Sequence, residues 1–301
     1  MTSPGTIVVD VHAHVHDPEL IQRREAFAAR DPWFAIQNPP GSRRLSSPAR
    51  LLRAIDAHGV GQAWAVGFGW RDHGMCTARN DAISAMRLRM DPVDAARLRW
   101  FGTVNPAAGA SAIAEVDRLA DLGFTGVGEI FPAGQGFDPG DRATMGPFLE
   151  ACAARGLAVV VHASDPVGPD FPGRDSTGPA KALALVDVAA AAAPDVELII
   201  AHLGGGLPFY ASMPDVRRRI ERTRVAFDTA ACVLLHHPSV LQAATRHLPG
   251  RVRLGSDHPV AGVAAAVAWV RDAGLDPDAE AAILTGVSST GRSPGSTGVT
   301  S

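Results

Sequence analysis

The chain has 301 residues, 46% of them hydrophobic and 20% charged, with a formal net charge of −3 at pH 7. These values exclude a disordered, collagen-like or fibrous protein, and without a basic excess there is no field to gather nucleic acid or an anionic membrane. The longest apolar run, 260–270, falls far short of the ~20 residues that cross a bilayer. Residues 1–6 lack the basic and apolar regions of a secretory signal, so a cytoplasmic protein is expected. Cys76, Cys152 and Cys232 lie far apart in sequence; they offer neither a disulfide framework nor a thiolate zinc site and read as buried thiols.

In chain order, short runs rich in Val, Ile, Leu and Phe alternate with longer Ala/Leu/Arg segments of helical period, the pattern of repeated βα units around a parallel sheet. Strands are predicted over 7–14, 62–68, 99–105, 126–131, 157–163, 197–203, 224–229 and 252–257. Most of the intervals hold one crossover helix and its loops. Helices are predicted over 48–57, with Ser47 as N-cap and Pro48 in the first turn, and over 111–122, 145–155, 179–193 and 260–270. Eight such units predict a closed (β/α)8 TIM barrel. An open doubly wound sheet would need a Gly-rich phosphate turn after the first strand, and Asp10-Val-His-Ala-His-Val-His is not one. Segment 15–47 is an insertion on the active-site face, expected to carry one helix over 19–30 and to form a lid or pocket wall. The barrel domain is expected to span 1–286, and 287–301 reads as a polar, low-complexity tail.

Residues two apart on a strand share a face, so Asp10, His12 and His14 are expected on one side of the first strand. A parallel barrel collects its strand ends on one rim. There the fifth strand ends in His162, the sixth in His202 and the eighth in Asp257, with Glu129 at the end of the fourth. A single His at the end of an apolar run is more often a core residue bonded to a carbonyl; several strands converging with imidazoles and carboxylates point to a divalent metal, zinc first, with manganese, iron or nickel also suited to these donors. Asp10 and Asp228 are expected to orient neighbouring side chains. Arg71, His73 and Arg174 near the rim are candidates for binding substrate, Arg through a bidentate clamp on a carboxylate. His16, His58, His236, His237 and His247 read as solvated surface residues.

Taken together, Asp10-Val-His-Ala-His, Val-His162-Ala-Ser, Ala-His202-Leu-Gly-Gly-Gly-Leu-Pro, Phe-Asp228-Thr-Ala and Gly-Ser-Asp257-His-Pro resemble, in order, the strand signatures of the amidohydrolase superfamily. The likeness is to its amidohydrolase-related branch, which includes aminocarboxymuconate-semialdehyde decarboxylase. The resemblance implies that His12, His14, His162 and Asp257 are metal ligands. It implies that His202 either completes a second metal site or hydrogen-bonds the metal's water. By the same resemblance Glu129 either bridges two metals, which makes the centre binuclear, or pairs with a pocket arginine, so one or two ions per chain are expected. The chain departs from the pattern at Ile283-Leu284-Thr285-Gly286, which lacks the usual Asn and closing helix, and at His258, where Tyr is usual.

The activity expected from these residues is hydrolysis of an amide, lactone or ester-like bond in a small molecule by metal-activated water, with Asp257 handling the proton. Non-oxidative decarboxylation is the alternative, since it uses the same residues. A barrel that binds a ligand without catalysis is a third reading. The expected partner is a small-molecule substrate, with no nucleic acid and no membrane, and the resemblance implies a homodimer.

Overall fold

The computed structural model describes residues 7–286. Eight parallel strands follow one another in strict chain order: β1 (Val8–His14), β2 (Val60–Val66), β3 (Leu98–Gly102), β4 (Gly126–Ile130), β5 (Ala158–Val161), β6 (Leu198–Ile200), β7 (Ala226–Asp228) and β8 (Val252–Arg253). The chain beyond β8 returns to β1, where Val11 N donates to Leu254 O at 2.8 Å, Asp257 N to His12 O at 2.9 Å and His14 N to His258 O at 2.6 Å. These bonds close the sheet on itself, giving the predicted TIM barrel and excluding an open sheet. Among the described residues no helix is long and apolar enough to cross a membrane.

The strands alternate between two apolar clusters. Trp64, Val66, Phe101, Val160, Ile199 and Ala226 fill the barrel. Their sequence neighbours Ala65, Trp100, Val159, Val161, Ile200 and Phe227 pack outward against the helices. β1 breaks this rule at a chemically important point. Val9 and Val11 belong to the inner cluster, but Ala13 and Val15 belong to the outer one. The register against β2 slips between Asp10 and Ala13, so an extra residue is accommodated as a bulge. The strict period of two that grouped Asp10 with His12 and His14 therefore fails. Asp10 instead sits fully buried in the seam between β1 and β8, its Oδ1 accepting from His12 N at 3.1 Å and Ser256 N at 2.9 Å.

The predicted helices appear as Pro48–Ala57, Ala110–Asp121, Arg142–Ala154, Pro179–Ala192 and Val263–Arg271. The Ser47 hydroxyl caps the first of these by accepting from Arg50 N. A further helix, Pro277–Thr285, was not expected; it buries Ile283 and Leu284 and hands the Ile283 carbonyl to Leu254 N at 3.0 Å. The family's terminal segment beyond it, and the tail 287–301, lie outside the described residues.

The insertion is not one helix but three short ones, Pro18–Gln22, Arg24–Ala28 and Pro32–Gln37. Arg23 leaves helical geometry at φ −106°, ψ 28°, and Asp31 caps a fresh start by accepting from Phe34 N. Their apolar residues Leu20, Phe27 and Phe34 pack on Phe68, Trp70, Met75 and Cys76. Arg79 fixes the first helix, donating to Asp17 at 3.0 Å and Glu19 at 2.9 Å. At its far end Ser46 bonds both to His16, through its backbone N at 3.2 Å, and to His258 Nε2, through its hydroxyl at 2.9 Å. His16 is thus buried in the insertion's anchor rather than solvated as expected, and burial pushes its imidazole down to about 3. His258 joins β8 to the same anchor.

Candidate metal centre

Six side chains predicted from strand ends meet at one mouth of the barrel. They form two groups, His12 with His14 and Asp257, and Glu129 with His162 and His202, each with its ligand atoms within 4.8 Å of one another. Glu129 lies between the groups. Its Oε2 is 3.7 Å from His12 Nε2 and 3.6 Å from His14 Nε2, while Oε1 is 2.9 Å from His162 Nδ1 and 3.4 Å from His202 Nε2. Among the described residues its ion-pair partners are all imidazoles, and none of them is the pocket arginine expected as the alternative. Asp257 Oδ1 lies 3.2 Å from His14 Nε2.

Local backbone geometry aims these groups. β6 ends earlier than predicted, at Ile200, and the chain winds left-handed from His202 (φ 55°) through Leu203 (φ 48°), Gly204 and Gly205. Left-handed turns cost an L-residue roughly 1–2 kcal/mol each, so the three consecutive glycines make the turn affordable. A Cβ on Gly205 would also lie 2.6 Å from the Ser164 carbonyl oxygen. Asp257 likewise has φ 59°. At Gly128 a Cβ would meet Val160 O at 2.7 Å, and its absence lets β4 run close enough to β5 to bring Glu129 beside His162.

A cation fits the donor set for a reason visible in the hydrogen bonds. His12 Nδ1 is 2.8 Å from Asp228 Oδ2 and His202 Nδ1 is 2.8 Å from the Ala230 carbonyl. Both partners only accept, so each Nδ1 carries the hydrogen. A neutral ring then turns its Nε2 lone pair toward carboxylate oxygens, which repel it. The arrangement is stable only with positive charge at the centre, supplied by ring protons or by a metal ion. His12 Nε2 and His162 Nε2 are moreover buried without a hydrogen-bond partner.

In the metal-free site the balance of burial and charge is legible. Burial by itself opposes a charged His12, but Asp228 and Glu129 overcome it and raise the imidazole to about 10. His202 follows the same logic, burial being outweighed by Glu129, and rises to about 9. Burial would raise Glu129, yet His162 and His12 hold it well below the usual carboxylate range. Asp10, with fewer partners, is pushed up by burial to about 6.

Above the centre opens a cavity of about 300 Å³. His14, Glu129, His162, His202 and Asp257 line it together with Phe68, Phe131, Phe171, Pro169, Leu234 and Leu235, while the insertion contributes Gln37 and Arg44. Phe131 stands edge-on to His162 with centroids 4.9 Å apart. The candidate substrate residues lie elsewhere. Arg71 is exposed beside Gly136, the His73 ring bonds the Ser111 carbonyl at 3.2 Å, and Arg174 pairs with Asp170 at 2.8 Å; none lines the cavity. His236 was expected on the surface but is partly buried against Asp165. Phe68 and Phe131 follow strands directly and could have been found by the same strand-end rule as the ligands. Arg44 and Asp165 carry no such signal.

The fold and centre define a metal-site barrel, and the sequence places it within a family. The family model described as Amidohydrolase matches residues 9–286, and the chain belongs to that family. No curated protein matches it. Among solved structures it is similar to 5-carboxyvanillate decarboxylase LigW from Sphingomonas paucimobilis, at 18% identity and a TM-score of 0.74, over 94% of this chain and 97% of that one. It is also similar to 5-carboxyvanillate decarboxylase from Novosphingobium aromaticivorans complexed with manganese and 4-hydroxy-3-methoxy-5-nitrobenzoic acid, at 17% identity and a TM-score of 0.68, over 93% and 94% of the two chains. A third is dihydroxybenzoic acid decarboxylase from Polaromonas sp. JS666 with bound manganese and the inhibitor 2-nitroresorcinol, at 16% identity and a TM-score of 0.66, over 93% and 95%.

Proposed function

We propose that this protein is a metal-dependent, non-oxidative decarboxylase of a small hydroxylated aromatic acid. The observation that carries this reading is the composition of the cavity, in which the imidazoles and carboxylates of the candidate centre are joined by the aromatic and aliphatic side chains of Phe68, Phe131, Phe171, Leu234 and Leu235. A volume of about 300 Å³ suits a single substituted ring. The structures to which the chain is similar are decarboxylases of such acids. Decarboxylation is the second of the activities expected from sequence; hydrolysis would use the same candidate ligands and has the family's name in its support, and the aromatic walls favour a ring acid.

His12, His14 and Asp257, with Glu129, His162 and His202, would hold the cation, and manganese and zinc both suit these oxygen and nitrogen donors. A bound divalent ion supplies attraction for the carboxylate of the acid and for an adjacent oxygen. The protein's residues do the rest. Phe68, Phe131 and Leu234 hold the ring and exclude water. When the ring–carboxylate bond breaks, carbon dioxide leaves and its electron pair stays on the ring carbon, which takes a proton from Asp257 at the edge of the cavity. Asp257 in turn is reprotonated from water, with His14 beside it at 3.2 Å.

The test is to load the protein with manganese or zinc and offer a panel of hydroxybenzoic acids alongside amide, ester and lactone substrates. Carbon dioxide release in deuterated water, with one deuteron at the vacated ring carbon, is the expected result. Asp257→Asn should lower that rate by about 10²–10⁴-fold. Hydrolysis of the second set without carbon dioxide release would replace this reading with a hydrolase.

A further inference from the structure

Two ionisable side chains of the cavity belong to neither ligand group, Arg44 and Asp165. Arg44 is solvent-exposed, on the insertion, with its guanidinium on the Gln37 carbonyl at 3.2 Å. Asp165 is different, because it is 7% exposed and yet faces the cavity. It follows β5 by a few residues and is met from across the mouth by His236, which follows β7. His236 Nε2 donates to Asp165 Oδ2 at 3.2 Å. The main chain of His236 is held in turn, its carbonyl accepting from Trp269 Nε1 at 2.9 Å and its N donating to Cys232 O at 2.8 Å, and Phe209 stands edge-on to the ring at 5.9 Å. Asp165 Oδ1 has no hydrogen-bond partner among the described residues.

A buried carboxylate supplied with a single donor is costly unless something else donates to it. The other polar side chains of the cavity outside the ligand groups are not bonded to it: the Ser164 hydroxyl is engaged with Ser176 Oγ at 3.2 Å and with the backbone N of Ser176 and Thr177, and Arg44 with the Gln37 carbonyl. We infer that the missing donor belongs to the substrate, and that Asp165, held in place by His236, selects an acid carrying a hydroxyl or amino group on the part of the ring remote from the reacting carboxylate. Asp165 is thus the specificity-determining residue and His236 its positioning residue. This rests on the proposed function, because it takes the ring to lie between the ligand groups and Asp165.

Nitrophenols test it, because a nitro group in place of the carboxylate prevents turnover. Calorimetric affinities of manganese-loaded protein are measured for 2-nitrophenols bearing a hydroxyl or a methoxy group at carbon 4 or carbon 5. In at least one pair the hydroxyl compound should bind about tenfold or more tightly than its methoxy partner, the size of a hydrogen bond to a charged group. Asp165→Ala should reduce that ratio to near one without changing metal content or the affinity for the methoxy compound. His236→Phe should reduce it as well, and His236→Gln, which keeps a donor, should restore it. If the compounds bind but neither pair discriminates, or if the preference survives in Asp165→Ala, the inference fails and the proposed function stands. If no nitrophenol binds the manganese-loaded wild-type protein, both fall together.

Discussion

Asp228 accepts from His12 Nδ1 at 2.8 Å through one oxygen, and from the backbone N of His202 at 2.9 Å and of Ala230 at 3.0 Å through the other. One fully buried carboxylate therefore fixes the tautomer of one candidate ligand and the backbone position of another. Partners of this kind typically contribute 10–100-fold to metal affinity. Asp228→Asn keeps the shape but can offer His12 an amide hydrogen instead of a carboxylate oxygen, so it is expected to weaken manganese or zinc binding by that factor, read by competition with a chelating dye. His12→Ala should lose more, since it removes a donor atom outright. Metal loading should also release protons at neutral pH. Asp228 and Glu129 raise His12 to about 10, and Glu129 raises His202 to about 9, so both are protonated in the metal-free protein at pH 7. A cation must displace those protons, so affinity rises with pH and falls on acidification. Calorimetry in buffers of different ionisation enthalpy measures the release directly, and an enthalpy independent of buffer would contradict it.

At the scale of elements, irregular segments do the aiming. The bulge in β1 turns His12 and His14 inward and leaves Asp10 in the seam with β8, while the left-handed turn after β6 brings His202 back toward His162, with Nε2 at 3.2 Å from its Nδ1. Gly205→Ala should expose the cost of that turn. It places a Cβ at φ 62° and 2.6 Å from a carbonyl oxygen, and is expected to destabilise by about 2–4 kcal/mol, read from the urea midpoint. The insertion is held both by polar anchors and by an apolar cluster. Phe34 is fully buried, with Phe68 at 5.3 Å and Trp70 at 4.8 Å between centroids. Phe34→Ala is expected to cost about 3–5 kcal/mol of local packing. Hydrogen exchange should quicken over 18–37 and ligand affinity should drop, since Gln37 and Arg44 line the cavity, while bound metal stays at the wild-type level.

For the molecule as a whole, the metal centre gathers β1, β4, β5 and β8 with the turn after β6 at one end of the barrel. The seam between β8 and β1 is held by three backbone bonds and by Asp10 Oδ1, which accepts from Ser256 N across it. His12, His14 and Asp257 lie on the two sides of that seam, so a cation held among them would lace it shut. Chelation is therefore expected to lower the thermal midpoint, and cation at 100 times its dissociation constant to add back about 2.7 kcal/mol. An unchanged midpoint across metal-free and metal-loaded protein would mean that the folded protein holds no ion.

The eight-strand count, the barrel class and all six meeting residues were legible in sequence, because burial in a parallel barrel writes apolar runs and because strand ends share one rim whatever the loops do. The same logic failed where backbone departs from its ideal period. Nothing local marks an extra residue in β1, so Asp10 reads as sharing the face of His12, although its expected role is to orient a neighbour and not to ligate; and His16 reads as a surface histidine because Ser46, which encloses it, lies thirty residues away. The sequence alone therefore determined which chemical groups converge, through hydrophobic periodicity, whereas tertiary structure decided how they divide into two groups joined by Glu129 and which further carboxylate, Asp165, lines the cavity. Those outcomes depend on contacts between distant segments: the approach of β4 to β5 that Gly128 allows, the turn at Gly204 to Gly206, and the meeting of Asp165 with His236 across the mouth.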